Sequence, residues 1–218
     1  TKASVEFRTI ISGGVPKDGI RAIIDPAFAP IGDLDSLAGT EPVIGLIVNG
    51  VAKAYPLQIL TRHEIVNDVI GGVPVAVTFC PLCNTAIVFE RTVGDVVLDF
   101  GVSGKLRNSD LIMFDRQTES WWQQFTGDSI VGEFMGAELA ILPSRLESWD
   151  NFRERAPDGA QVMVAQSVFS TYGRNPYAGY DSSTRPFLFV GDLPTEIPAL
   201  ARVVTLESSA GKEAWSLE

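Results

Sequence analysis

The sequence predicts an α+β fold: a mainly antiparallel sheet or distorted barrel carrying a few short helices, in a single domain spanning residues 1–218. Three observations predict it. Short apolar runs rich in Val, Ile and Phe recur along the chain, separated by turns of Gly, Asn and Asp. Helical spacing is confined to two short stretches. No glycine-rich phosphate loop follows a strand and no βαβ alternation is present, so a parallel nucleotide-binding sheet is disfavoured.

The elements follow in chain order. The first twenty or so residues are weakly patterned and read as an arm or an early strand. Pro26 and Pro30 then hold the chain in extended or turn structure. Val43 to Val48 is an apolar strand, Asn49-Gly50 is the strongest short hairpin signal, and Val51 to Tyr55 returns. From Pro56 the period changes. Leu57, Leu60, Ile65 and Val69 fit one helical stripe, which Gly71-Gly72 stops. On such a helix His63 and Asn67 share a face, as do Glu64 and Asp68. "VPVAVTF" is a strand that delivers "CPLC" at its end, and "TAIVFERTV", "VVLDFGVSG", "DLIMFDRQT", "SWWQQFTGD", "AELAILP" and "AQVMVAQ" supply further strands. "SWDNFRER" is a short helix with Ser148 as its N-cap. "TYGRNPYAGYDSSTRP" is a long aromatic loop, either a pocket lid or a pinned surface segment.

The end of the chain echoes an earlier part. "RVVTLESSAGKEAWSL" repeats the pattern of "PVIGLIVNGVAKAYPL", with Ala214-Trp215-Ser216-Leu217 matching Ala54-Tyr55-Pro56-Leu57. Residues 184–218 read either as the start of a truncated second repeat or as a hairpin that resembles the first by chance.

Composition bounds the function. Hydrophobic residues make up 45 % and charged residues 20 %, which supports a packed core. Lys and Arg number 17 against 27 Asp and Glu, a net charge of −10. That balance repels nucleic-acid phosphates and anionic lipid, and no basic run reverses it locally. No apolar stretch reaches the ~20 residues of a membrane-spanning helix.

The chemistry concentrates in Cys80-Pro81-Leu82-Cys83, which holds both cysteines, and in His63, the only histidine. A c-type haem site needs His after the second Cys, where Asn84 stands. Blue copper needs two histidines, and an all-cysteine zinc site needs two more cysteines. A nucleobase deaminase is disfavoured because Glu64 follows His63 directly and the proline lies between the cysteines. Three readings remain. His63, Cys80 and Cys83 bind copper or zinc, with Glu64 or water as a further ligand. Alternatively, the pair is a dithiol–disulfide redox centre, or it is a buried structural turn. A polar cluster of Ser103, Arg107, Asn108, Ser109, Asp110, Asp115, Arg116, Trp121, Trp122, Gln123 and Gln124 either lines a pocket or builds a turn around a core tryptophan.

"EPVIGLIVNGVAKAYPLQIL", "HEIVND", "GGVPVAVTFCPLCNTAIVFER", "FGVSGKLRNSDLIMFDRQTESWWQQFTGD" and "YGRNPYAGYDSS" occur in that order. From about Gly19 to Ser183 the chain thereby resembles the uncharacterised prokaryotic family catalogued as domain of unknown function 3179. Asn84 departs from the glycine the family often has there. The resemblance implies an extracytoplasmic setting and brings no established activity. The lead expectation is therefore an extracytoplasmic metal-binding protein. His63, Cys80 and Cys83 are its ligands, Glu64 is its acid or base, and copper or zinc is its ion. Its partner is an unidentified small molecule or a redox or metal partner. A thiol–disulfide oxidoreductase and a non-catalytic binding module are the alternatives.

Overall fold

A computed structural model of the chain describes residues 2–34, 36–165 and 172–217. Strands β1 (Ile10–Ser12), β2 (Ile23–Ile24) and β3 (Phe28–Pro30) lead into the hairpin β4 (Pro42–Val48) and β5 (Val51–Pro56). Helix α1 (Leu57–His63) follows, then the meander β6 (Ile65–Ile70), β7 (Val73–Cys80) and β8 (Thr85–Glu90). The small ladder β9 (Thr92–Val93) and β10 (Val96–Val97) precedes β11 (Phe100–Arg107), β12 (Asp110–Asp115), β13 (Trp121–Gln123) and β14 (Ser129–Val131). The chain continues through β15 (Ile141–Leu142), β16 (Ser144–Ser148), α2 (Trp149–Arg155) and β17 (Gln161–Met163), and closes with the hairpin β18 (Val203–Ser208) and β19 (Gly211–Ser216).

Three five-stranded sheets result. The first has the order β16-β4-β5-β17-β3, the middle one β15-β8-β7-β6-β2, and the third β1-β11-β12-β13-β14. Side-chain alternation places successive residues in different cores. Val75 and Val77 of β7 join Ile44, Leu46 and Tyr55 between the first and middle sheets. Ala76 and Cys80 of the same strand join Phe100, Met113 and Trp122 between the middle and third sheets. On its far side the first sheet packs Val43 and Ala54 against Trp149 and Phe152 of α2.

Polar side chains stitch the layers. The Asn67 amide mimics a strand neighbour, donating to Phe100 O and accepting from Phe100 N, each at 2.8 Å. Gln124 Nε2 donates to Thr78 Oγ1 at 2.8 Å. Between the first and middle sheets, Lys53 Nζ and Tyr55 OH both donate to Asp68 Oδ2, at 2.8 Å each.

The α+β expectation is corrected by this architecture. Strands take 43 % of the chain and helix 11 %, in curled, mainly antiparallel sheets, so the fold is mostly β. The two α-helices among the described residues have seven residues each. The excess helix was read into residues 64–70. There α1 stops at His63, Glu64 turns to φ 60°, and Ile65–Ile70 becomes β6, paired along its length with β7. Apolar residues at 57, 60, 65 and 69 satisfy a helical stripe, yet Ile65, Val66, Val69 and Ile70 are β-branched, and a six-residue ladder outweighs the stripe. His63 and Asn67 therefore lie on different elements. The Asn49-Gly50 turn, both residues at positive φ, stands as the sequence predicts, and so does the Ser148 cap, which accepts from Asn151 N. Gln166 and Thr171, at the ends of an expected strand and loop, lie outside the described residues. Among the described residues no helix is long and apolar enough to cross a membrane.

Candidate metal centre

Cys80 ends β7 in the core, and Cys83 sits half-buried in the turn that leads into β8. The turn is closed by Cys83 N donating to Cys80 O at 3.2 Å and by Thr85 Oγ1 donating to Cys83 O at 3.1 Å. Asn84 takes φ 49°. Asparagine tolerates this left-handed geometry, so a residue other than glycine leaves the turn intact.

A second hairpin tip meets this turn from the third sheet. Asn108 and Ser109, at φ 53° and 68°, connect β11 to β12 and bring Asp110 over the sulfurs. Cys80 Sγ and Cys83 Sγ lie 2.9 Å apart, and Asp110 Oδ1 accepts from Cys83 Sγ at 3.3 Å. The ligand atoms of Cys80, Cys83 and Asp110 all lie within 4.8 Å of one another, a group that can hold a metal ion. The other carboxylate oxygen is already oriented. Oδ2 of Asp110 accepts from Phe125 N at 3.0 Å and from Gln123 Nε2. Such support turns Oδ1, in contact with the Cys83 thiol, toward the sulfurs.

The electrostatics of the group favour a cation. The hydrogen bond with Cys80, burial, and the nearby Cys80 and Asp110 charges all push the Cys83 thiol up. Burial pushes the Asp110 carboxyl up as well. Among the described residues Asp110 forms no salt bridge, so no cationic side chain touches the spot where these three acidic groups meet.

A cavity of about 620 Å³ opens beside the group, and Cys83, Arg107, Asn108, Asp110, Gln123 and Phe125 line part of it. Ser129, a buried member of the same wall, has a hydroxyl without a hydrogen-bond partner among the described residues. The pocket reading of the polar cluster thus holds for Arg107, Asn108, Asp110 and Gln123. For its other half the turn reading holds: Trp122 fills the core, and Asp115 accepts from its Nε1 at 2.8 Å and from Thr118 N at 2.6 Å.

His63 ends α1 with both ring nitrogens engaged. Nδ1 is 2.7 Å from Arg21 O, and Nε2 is 2.7 Å from the Tyr172 hydroxyl, where the aromatic loop begins. Glu64 is tied to the cysteine strand through its backbone, its carbonyl accepting from Phe79 N at 2.8 Å. Its carboxyl is buried, makes no hydrogen bond with another described residue, and is pushed up to about 7 by that burial. Tyr177 of the aromatic loop links the two regions electrostatically. Burial raises its phenol first, and the charges of Glu64 and Cys80 raise it further.

Sequence reasoning placed Asp110 in a polar cluster but not among the ligands. Its local signal was the Asn-Ser dipeptide between two apolar runs, which marks a tight hairpin with Asp110 at its exit. Nothing local says that this tip lands on Cys83, 27 residues away.

A family model described as "Protein of unknown function (DUF3179)" matches residues 17–218. No curated protein and no solved structure matches the chain.

Proposed function

The chain belongs to the DUF3179 family, and from that premise we propose that it binds a zinc ion through Cys80, Cys83 and Asp110 and uses it on a small molecule held in the adjoining cavity. The convergence of two sulfurs and a supported carboxylate within 4.8 Å carries this reading. Thiolates alone suit copper(I) or zinc, whereas a carboxylate in the set favours zinc, which accepts both donor types at bonds of about 2.0–2.3 Å. Three protein ligands leave a fourth position, and the cavity lies on the Cys83 and Asp110 side where that position would open. A zinc ion there supplies Lewis acidity and an activated water. Glu64, poised near neutrality beside the cysteine strand, is the acid or base in this reading. His63 would hold the aromatic loop through Tyr172, since ligation by Nε2 requires that hydroxyl to move away. An extracytoplasmic setting is part of the proposal and rests on the family resemblance.

Metal analysis tests it. Protein purified without chelator should carry about one zinc per chain, and Cys80→Ser with Cys83→Ser should carry none. Equal and negligible metal in both sinks the reading. A dithiol–disulfide couple is the second reading, favoured by the 2.9 Å sulfur separation and by the access of Cys83 to the cavity. It needs an easily formed thiolate, whereas every influence on the Cys83 thiol raises it. It predicts rapid alkylation of Cys83 at neutral pH in metal-free protein; a thiol that stays unmodified removes it.

A further inference from the structure

The C-terminal hairpin leaves apolar surface uncovered on both of its strands. β18 and β19 pair only with each other among the described residues. A lone two-stranded hairpin is marginal in water. Val204 is 48 %, Leu206 54 % and Trp215 48 % exposed.

This hairpin matches β4–β5 in register and turn length. The first ladder pairs Val43 with Pro56, Ile44 with Tyr55, Leu46 with Lys53, and Val48 with Val51. The second pairs Val203 with Ser216, Val204 with Trp215, Leu206 with Glu213, and Ser208 with Gly211. A constant offset converts one ladder into the other, two-residue turn included. Under it Val43, Leu46, Ala54 and Leu57 become Val203, Leu206, Ala214 and Leu217, and Tyr55 becomes Trp215. Two hairpins alike by chance need not agree in register, turn length and apolar face together.

The first hairpin shows what such a face is for. Ile44, Leu46 and Tyr55 are buried against Leu60 of α1 and Val75, Val77 and Phe79 of β7. Its two edges are taken by β16 and β17. Lys53, on the same face, reaches the buried Asp68 of β6. The position equivalent to Lys53 is Glu213, of opposite charge. A layer built for the second hairpin therefore needs a basic residue where Asp68 stands.

We propose that β18–β19 is the opening hairpin of a second repeat of this fold. Its apolar face docks a helix-and-strand layer of the same polypeptide, built like α1, β6 and β7, with a basic residue in the place of Asp68.

The equivalence is tested by splicing. A chimera of residues 1–217 followed by a second copy of residues 58–165, carrying Glu213→Lys to suit the copied Asp68, should complete the repeat. Trp215 emission, isolated by difference from Trp215→Phe, should shift to the blue and lose quencher access. The β18 and β19 amides should gain the hydrogen-exchange protection of β4 and β5. The same chimera with native Glu213 should show amide protection lower by about tenfold or more, because two acids then share one buried site. Trp215 left as quenchable as in the 218-residue chain overturns the proposal. The unaltered chain supplies a separate check by sedimentation. It should be monomeric at every concentration, with Leu206→Glu changing nothing. A dimer dispersed by Leu206→Glu would assign the face to a second copy and overturn the proposal equally.

Discussion

Two buried carboxylates, Asp68 and Asp110, sit on neighbouring sheets in opposite circumstances. Asp68 is fully served: Oδ2 accepts from Lys53 Nζ and Tyr55 OH, and Oδ1 accepts from Val69 N at 2.7 Å. Its cation also packs over the Phe28 ring, 4.1 Å from the centroid. Asp110 has two neutral donors on one oxygen and a thiol on the other, with no salt bridge among the described residues. Burial is similar, at 9 % and 4 % exposed, so desolvation alone does not separate them. The difference is completeness. Asp68 closes its own charge balance and holds two sheets together. Asp110 and its two thiols leave a balance open, and an ion from outside can close it.

The largest expected effect comes from breaking the closed site. Lys53→Met should lose about 3–5 kcal/mol in chemical denaturation, because Asp68 is left charged and buried. Adding Asp68→Asn should recover a large part; no recovery would mean that Lys53 acts through packing rather than charge. Next comes Glu64, a buried acid with no side-chain hydrogen bond to another described residue. Its folded pKa of about 7 lies above the ordinary 4.5, so the folded state holds the proton more tightly. Stability is then full below pH 4.5 and falls as pH rises through 7, by about 3 kcal/mol. Glu64→Gln should match the parent at pH 4 and exceed it by about that amount at pH 8. Parallel pH profiles would show the carboxyl to be better solvated than its burial implies.

Closing the open site should have the next largest effect. Zinc at a hundredfold excess over its Kd should stabilise the parent by about 2.7 kcal/mol. Asp110→Asn should reduce this sharply, and Cys83→Ser should abolish it, with both variants folded in the absence of metal. Equal stabilisation of parent and variants would place the zinc elsewhere. The smallest effect lies outside both sites. Ser148→Ala removes the cap of α2 and should cost about 1 kcal/mol without altering zinc binding or the pH profile.

Much of the fold was legible where local chemistry decides it. Asn49-Gly50 fixes a hairpin register, and the Val-rich run before Cys80 has no competing helical period. Residues 64–70 were misread because an apolar stripe can suit a helix and a strand at once; the ladder with β7 decides, and that pairing is not local. The site was half legible for a similar reason. Two cysteines three residues apart announce themselves, whereas Asp110 reaches them only through the packing of one sheet on another. His63 drew attention as the sole histidine, but its partners, Arg21 and Tyr172, come from two distant segments.

The Asn67 clamp on Phe100 carries a further consequence. The cysteines hang from the middle sheet and Asp110 from the third, so the gap between those layers sets how far the carboxylate stands from the sulfurs. Asn67 fixes that gap at one point, and Phe100 and Trp122, packed edge to face, fill it. The core thus acts as a calliper for the ligand set. A change of girth at Phe100 or Trp122 would alter the spacing of the group that could hold an ion, without touching any of its ligand atoms.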